Sequence, residues 1–153
     1  MDQPAYIQYR KSRFQTRLPT ERRYTAAHFW LLAVDERTWR IGFTKFATRM
    51  LGDLVEAEFE VAGGDSVAVG QVIGFVEGLK AASDLFCVAN GNFLRGNPDL
   101  AAKPEAMQKD PYGSGWLYEV AGSPEPDAID AAGYAALLDA QIERMQGEMG
   151  YDQ

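Results

Sequence analysis

Between residues 55 and 61, apolar Val55, Ala57, Phe59 and Val61 alternate with Glu56, Glu58 and Glu60. A period of two puts successive side chains on opposite faces of an extended chain, so this segment reads as a strand with one dry face and one wet, acidic face. A dry strand face needs a second layer over it, which directs the chain toward a layered sheet architecture. Further strands are expected at residues 29–34 and 38–43, joined across Asp35-Glu36-Arg37, and at 71–76, 85–88, 92–94 and 116–120, each apolar and bounded by turn residues. Ala89-Asn90-Gly91 is expected to turn a hairpin between 85–88 and 92–94. Asn97-Pro98 and Asp110-Pro111-Tyr112-Gly113 are read as turns, and a short helix is expected over residues 45–51 with Phe46, Met50 and Leu51 inward. Ser123-Pro124-Glu125-Pro126 ends the β pattern. From Ala131 the spacing of Tyr134, Leu137, Leu138, Ile142, Met145 and Met149 is helical, with Asp130 as N-cap, and one amphipathic helix is expected to lie on the β body.

A chain of 153 residues with 46% hydrophobic residues supports one sizeable core. Its net charge of −7 hides an asymmetry: the first 25 residues carry six basic and two acidic side chains, which leaves −11 on the rest. An acidic body is a poor nucleic-acid partner, because phosphate binding needs clustered Lys and Arg. The basic leader is read as a solvated or packed extension; docking to an acidic partner and a transit peptide are the alternatives, and Asp2, Pro4, Pro19 and Glu21 speak against the last. The divisions expected are a basic extension over 1–23, a β domain over 24–122 and a helical segment over 123–153. No run reaches the roughly 18 apolar residues of a membrane span, and one cysteine, Cys87, forms no intramolecular disulfide, so a cytoplasmic setting without membrane attachment is expected. One histidine and one cysteine give neither zinc spacing nor a nucleophile elbow, and Gly63-Gly64 lacks the rest of a phosphate loop. Catalysis and a metal site are therefore not expected. Cys87 reads as a small core residue.

The segment 76–86 is the one that carries chemistry. Lys80 stands between two apolar strand-like runs, with Gly78 giving the backbone freedom to turn. A lone turn lysine is usually only solvated. One at the apex of a rigid hairpin is also an amine that a modifying enzyme can reach.

Around that lysine the chain resembles the H protein of the glycine cleavage system and related lipoyl carriers, whose attachment site reads Glu-Ser-Val-Lys-Ala, a small residue, then Ser-Asp-Leu-Tyr. Glu77, Lys80, Ala81, Ser83, Asp84 and Leu85 match; Gly78, Leu79 and Phe86 depart. The similarity continues through Tyr24-Thr25, His28, Trp30, Gly42-Phe43-Thr44, Leu51-Gly52-Asp53, Asn97, Asp110-Pro111-Tyr112-Gly113 and Gly115-Trp116-Leu117. The resemblance implies a mostly β fold, a flattened barrel or two-sheet sandwich of the lipoyl-domain kind with a short internal helix and a C-terminal amphipathic helix. It implies lipoic acid in amide linkage to Lys80, placed there by a lipoate ligase or lipoyl transferase that reads Glu77, Gly78, Ala81 and Asp84. It also implies a non-catalytic carrier whose arm moves between partner enzymes. Biotin carriers place Met on both sides of the lysine, and Leu79 and Ala81 do not fit them.

In that family the loaded arm meets polar groups whose positions here are Ala27, Phe29 and Asp84, beside His28, and only Asp84 keeps its polarity. A charged amine brought against Ala27 and Phe29 would lose water without gaining a partner, at about 1–3 kcal/mol or more. These departures, together with residues 44–52 and 77–81, resemble the lipoate-binding proteins of sulfur-oxidising bacteria that work with a heterodisulfide-reductase-like complex. The expectation is a carrier in sulfur oxidation. The alternatives are an H protein carrying an aminomethyl group among glycine decarboxylase, aminomethyltransferase and dihydrolipoamide dehydrogenase, or an unmodified binding scaffold of the same fold.

Overall fold

The computed structural model describes residues 5–149, with side chains to residue 147. Its centre is a six-stranded antiparallel sheet in the order β3 (Arg23–Tyr24), β4 (Phe29–Ala33), β5 (Thr38–Phe43), β11 (Tyr118–Pro124), β10 (Ala89–Gly96) and β7 (Ser66–Val67). A three-stranded sheet, β6 (Leu54–Phe59), β8 (Val72–Gly78) and β9 (Ala82–Phe86), supplies the second layer. Phe29, Leu31, Ile41 and Val120 from the first sheet and Leu54, Ile73, Val76 and Leu85 from the second share one buried cluster, so the core lies between the layers. The sheets do not close into a barrel.

The alternation at residues 55–61 forms β6, with one slip. Leu54 pairs with Gly78 and Glu56 with Glu77, so Val55 is the extra residue of a bulge and stays 48% exposed, contrary to the expected inward position. Leu54, Ala57 and Phe59 take the dry face instead. Asn90-Gly91 is not a turn. It lies inside β10, because the chain changes sheets at Cys87-Val88 and Ala89 already pairs with Pro124. Gly91 stands opposite Gly122, and a side chain at Gly91 would collide with the Ala121 carbonyl, which accounts for the glycine without any hairpin. β11 runs through Ser123-Pro124, two residues into the segment read as a break, and begins at Tyr118 rather than Trp116.

Helix α1 (Lys45–Leu51) has the expected bounds, capped by Thr44, whose Oγ1 accepts from the Ala47 N–H at 3.4 Å. Phe46 and Leu51 face inward with Ala47 and Thr48, but Met50 is 47% exposed, since Ala47 and Thr48 continue the inward stripe and Met50 falls outside it. A one-turn helix, α2 (Ala106–Lys109), buries Met107. Helix α3 (Ala131–Met149) starts where the Asp130 carboxylate accepts from the Gly133 N–H at 2.8 Å. It buries Tyr134, Leu138 and Ile142, while Leu137 and Met145 are partly buried; Met149's side chain lies outside the described part.

A hairpin of β1 (Tyr6–Lys11) and β2 (Phe14–Pro19) occupies most of the basic leader. It buries Tyr9, Phe14 and Leu18 in a second cluster with Phe46, Tyr134, Leu138 and Ile142, so it packs against α1 and α3. Tyr9 Oη donates to Asp139 at 2.8 Å and Lys11 pairs with Glu143 at 2.6 Å, fixing the hairpin along α3. Cys87 is fully buried in the first cluster, as expected of a small core residue. Among the described residues no helix is long and apolar enough to cross a membrane, and no group of three or more His, Cys, Asp or Glu side chains is placed to hold a metal.

Candidate functional site

β8 and β9 are joined by Leu79-Lys80-Ala81, closed by the Gly78 N–H donating to the Ala81 carbonyl at 2.9 Å. The apex is docked. The Lys80 N–H donates to Leu51 O and the Leu79 N–H to Asp53 O, both at 2.9 Å, so the segment that ends α1 carries the lysine loop. Two glycines permit this approach. A side chain at Gly78 would strike the Leu51 carbonyl, and Gly52, at φ 78° and ψ −165°, would hold an ideal Cβ 3.0 Å from Lys80 N. Gly78 therefore serves close approach rather than the turn freedom ascribed to it from sequence.

The Lys80 side chain is exposed, makes no ion pair among the described residues, and its Nζ donates only to the Arg49 carbonyl at 3.3 Å. An accessible primary amine on a fixed backbone fits amide attachment of a prosthetic acid. Beside it opens a cleft of about 370 Å³ lined by Lys45, Thr48 and Arg49 of α1, by Gly52 and Asp53, by Leu79 and by Gln108 of α2. Gln108 braces this rim, donating to Asp53 Oδ1 at 2.9 Å and accepting from the Leu54 N–H at 2.5 Å. Lys45 Nζ donates to the Gln108 carbonyl at 3.2 Å.

The other side of the hairpin is acidic. The register pairs Glu56 with Glu77, Glu58 with Phe75, and Phe75 with Asp84, so Glu56, Glu58, Glu77 and Asp84 share the exposed face of the three-stranded sheet. Glu77, Ala81 and Asp84 are all exposed within a few residues of Lys80, and Gly78 is half-buried beneath it. The lysine thus separates an acidic sheet face from a cleft whose α1 wall is cationic.

The four residues assigned from sequence to an arm cleft are scattered. Ala27 is exposed. Phe29 is 3% exposed and stacks on Phe43 with centroids 5.4 Å apart, so it belongs to the core and lines no open surface. His28, at φ 74°, is half-buried against Phe46, with Nδ1 2.7 Å from Tyr134 Oη, which also meets Thr44 Oγ1 at 2.7 Å. Burial pushes its imidazole down to about 4, so it is held neutral as a joint between α3 and the β body. Asp84 lies on the acidic face. None of the four lines the cleft beside Lys80. The residues that do were not singled out for it from sequence. Leu51-Gly52-Asp53 was visible as a matching tripeptide, whereas Lys45, Arg49 and Gln108 meet there only because α1 and α2 converge.

Comparison with known proteins agrees with this geometry. The sequence model of the glycine cleavage H-protein family matches residues 22–136. The chain is 40% identical over 124 residues to the glycine cleavage system H protein of Beutenbergia cavernae, covering 81% of this chain and 98% of that protein. It is 37% identical to the H protein of Alteromonas mediterranea, covering 81% and 91%. Its fold superposes on the crystal structure of a glycine cleavage system H protein from Mycobacterium marinum with a TM-score of 0.71 at 35% identity, covering 78% of this chain and 97% of that one. The chain belongs to the glycine cleavage H-protein family.

Proposed function

We propose that this chain is a lipoyl carrier with Lys80 as its attachment point. Proteins of the family carry lipoic acid on a lysine and are carrier subunits, not themselves catalytic. The observation that carries the assignment is the docked apex: Lys80 is exposed at its tip while its backbone is held by Leu51 and its loop by Asp53. When bound, lipoic acid supplies a cyclic disulfide that can accept cargo on sulfur or, with two electrons and two protons, open to a dithiol. The protein's share is positional. The hairpin presents one amine to a lipoate ligase or lipoyl transferase, and Glu77, Gly78, Ala81 and Asp84 form the surface such an enzyme would read. Tethering then replaces diffusion between partner active sites.

The relatives are named as glycine cleavage system H proteins, which favours aminomethyl carriage among glycine decarboxylase, aminomethyltransferase and dihydrolipoamide dehydrogenase. A second reading, carriage in sulfur oxidation with a heterodisulfide-reductase-like complex, is favoured by one local feature. The cleft beside Lys80 has Lys45 and Arg49 in its α1 wall, which disfavours an aminomethyl ammonium there. Reconstituted glycine cleavage with the lipoylated protein tests the choice. Turnover comparable to that of an established H protein in the same assay supports the first reading. Absence of turnover, with the arm still reducible, supports the second.

A further inference from the structure

We propose that Lys45 and Arg49 form a cationic seat for the sulfur end of the arm in its anionic, thiolate state. The inference rests on attachment at Lys80 and holds for either cargo, since both return the arm to a dithiol. The titratable residues among those lining the cleft are Lys45, Arg49, Asp53 and Lys80. Amide formation would remove the Lys80 charge. Asp53 is already engaged by the Gln108 amide at 2.9 Å. That leaves the Lys45 ammonium, whose one hydrogen bond among the described residues is to a carbonyl at 3.2 Å, and the Arg49 guanidinium, which is in no ion pair among them. The two stand at i and i+4 of a seven-residue helix, an unfavourable like-charge spacing that an anion between them relieves.

Arg49 is also held in place. Its guanidinium lies 5.9 Å from the Phe14 ring centroid, and Phe14 meets Phe46 edge-on at 5.4 Å. Phe14 comes from the β1–β2 hairpin, outside the family match at residues 22–136, so a feature beyond that match supports one wall of the cleft. A cleft of about 370 Å³ falls in the range of small-ligand sites. Its excess of cations repels an ammonium and attracts a thiolate.

The test uses the full lipoylated chain, reduced with a phosphine, and follows alkylation of the arm by iodoacetamide against pH. That reagent is neutral, so it is not itself drawn to the cleft. The expected result for the wild type is an apparent thiol pKa about one unit below that of free dihydrolipoamide, and so about threefold faster alkylation at pH 7, because the lower nucleophilicity of the less basic thiolate offsets part of the about tenfold gain in its population. The Lys45→Gln/Arg49→Gln variant should lose that advantage, Arg49→Lys should keep most of it, and Phe14→Leu should lose part; high salt should narrow every difference. Superimposable profiles for the wild type and the double variant, with matched urea unfolding, would overturn the seat and leave the carrier reading intact. A chain that takes up no lipoyl group at Lys80 would overturn both.

Discussion

Gly52→Ala probes the joint between α1 and the lysine hairpin. Gly52 sits at φ 78° and ψ −165°, a region open essentially to glycine, and forcing alanine there costs about 1–3 kcal/mol. The new methyl would lie 2.7 Å from Lys80 Cγ, 3.0 Å from Lys80 N and 3.1 Å from Lys80 Cβ. The side-chain carbons can swing away. The backbone nitrogen cannot move without loosening its 2.9 Å bond to Leu51 O, worth about 1 kcal/mol. The expected loss is about 2–4 kcal/mol, a fall in Tm on the order of 10 °C for a domain of this size. Lipoylation by a ligase should slow in parallel, since the apex is no longer held. Leu79→Ala is the control: that side chain is 73% exposed in the same loop and its loss should change stability by less than about 0.5 kcal/mol. Urea unfolding and a timed lipoylation assay give both readouts. A Gly52→Ala protein with the wild-type midpoint and the wild-type lipoylation rate would refute the docked-apex reasoning.

Other consequences are as direct. Burial lowers His28 from its ordinary 6.5 to about 4, so the unfolded chain takes up this proton first as pH falls. Stability should therefore decline between about pH 6.5 and 4 by up to about 3 kcal/mol from this group and level off below, and His28→Asn, which tolerates the positive φ, should flatten that part of the urea-midpoint profile. Glu119 is buried and bridges Arg40 at 2.8 Å and Arg95 at 3.0 Å. Because both arginines are partly solvated, Glu119→Gln should cost about 1–3 kcal/mol, less than a fully buried pair, as measured by thermal unfolding. Glu77→Lys should slow lipoylation more at low than at high ionic strength if the acidic face is read electrostatically; equal rates at both would point to recognition of hairpin shape.

Strands with a clean period of two, or a dense run of apolar and β-branched residues, were legible: β5 and α1 have the bounds expected, and β8 lies close to them. What escaped the sequence depends on partners far along the chain. The β1–β2 hairpin carries its own alternation, Ile7, Tyr9 and Lys11 inward against Gln8 and Arg10 outward, but the arginines made the segment read as charge rather than as strand. Asn90-Gly91 has the composition of a hairpin turn and sits in mid-strand, because Gly91 is needed where β10 and β11 approach closely at Gly122. Val55 belongs by pattern on the dry face and is turned out by a bulge that only the pairing of β6 with β8 creates. The lysine itself was legible from its local motif. The cleft was not, since Lys45, Arg49, Asp53 and Gln108 converge only through the meeting of α1 and α2. Phe29 was expected at a cleft and lies in the core because β4 is covered on both faces, Phe29 and Leu31 by one cluster and Trp30 by the other.

Peptide mass spectrometry of the protein from lipoylation-competent cells shows whether Lys80 carries the arm. One lipoyl group is expected, on the peptide containing Lys80, and none in a Lys80→Arg variant whose unfolding midpoint matches the wild type. A bare Lys80, or a lipoyl group on any other lysine, would contradict attachment at Lys80.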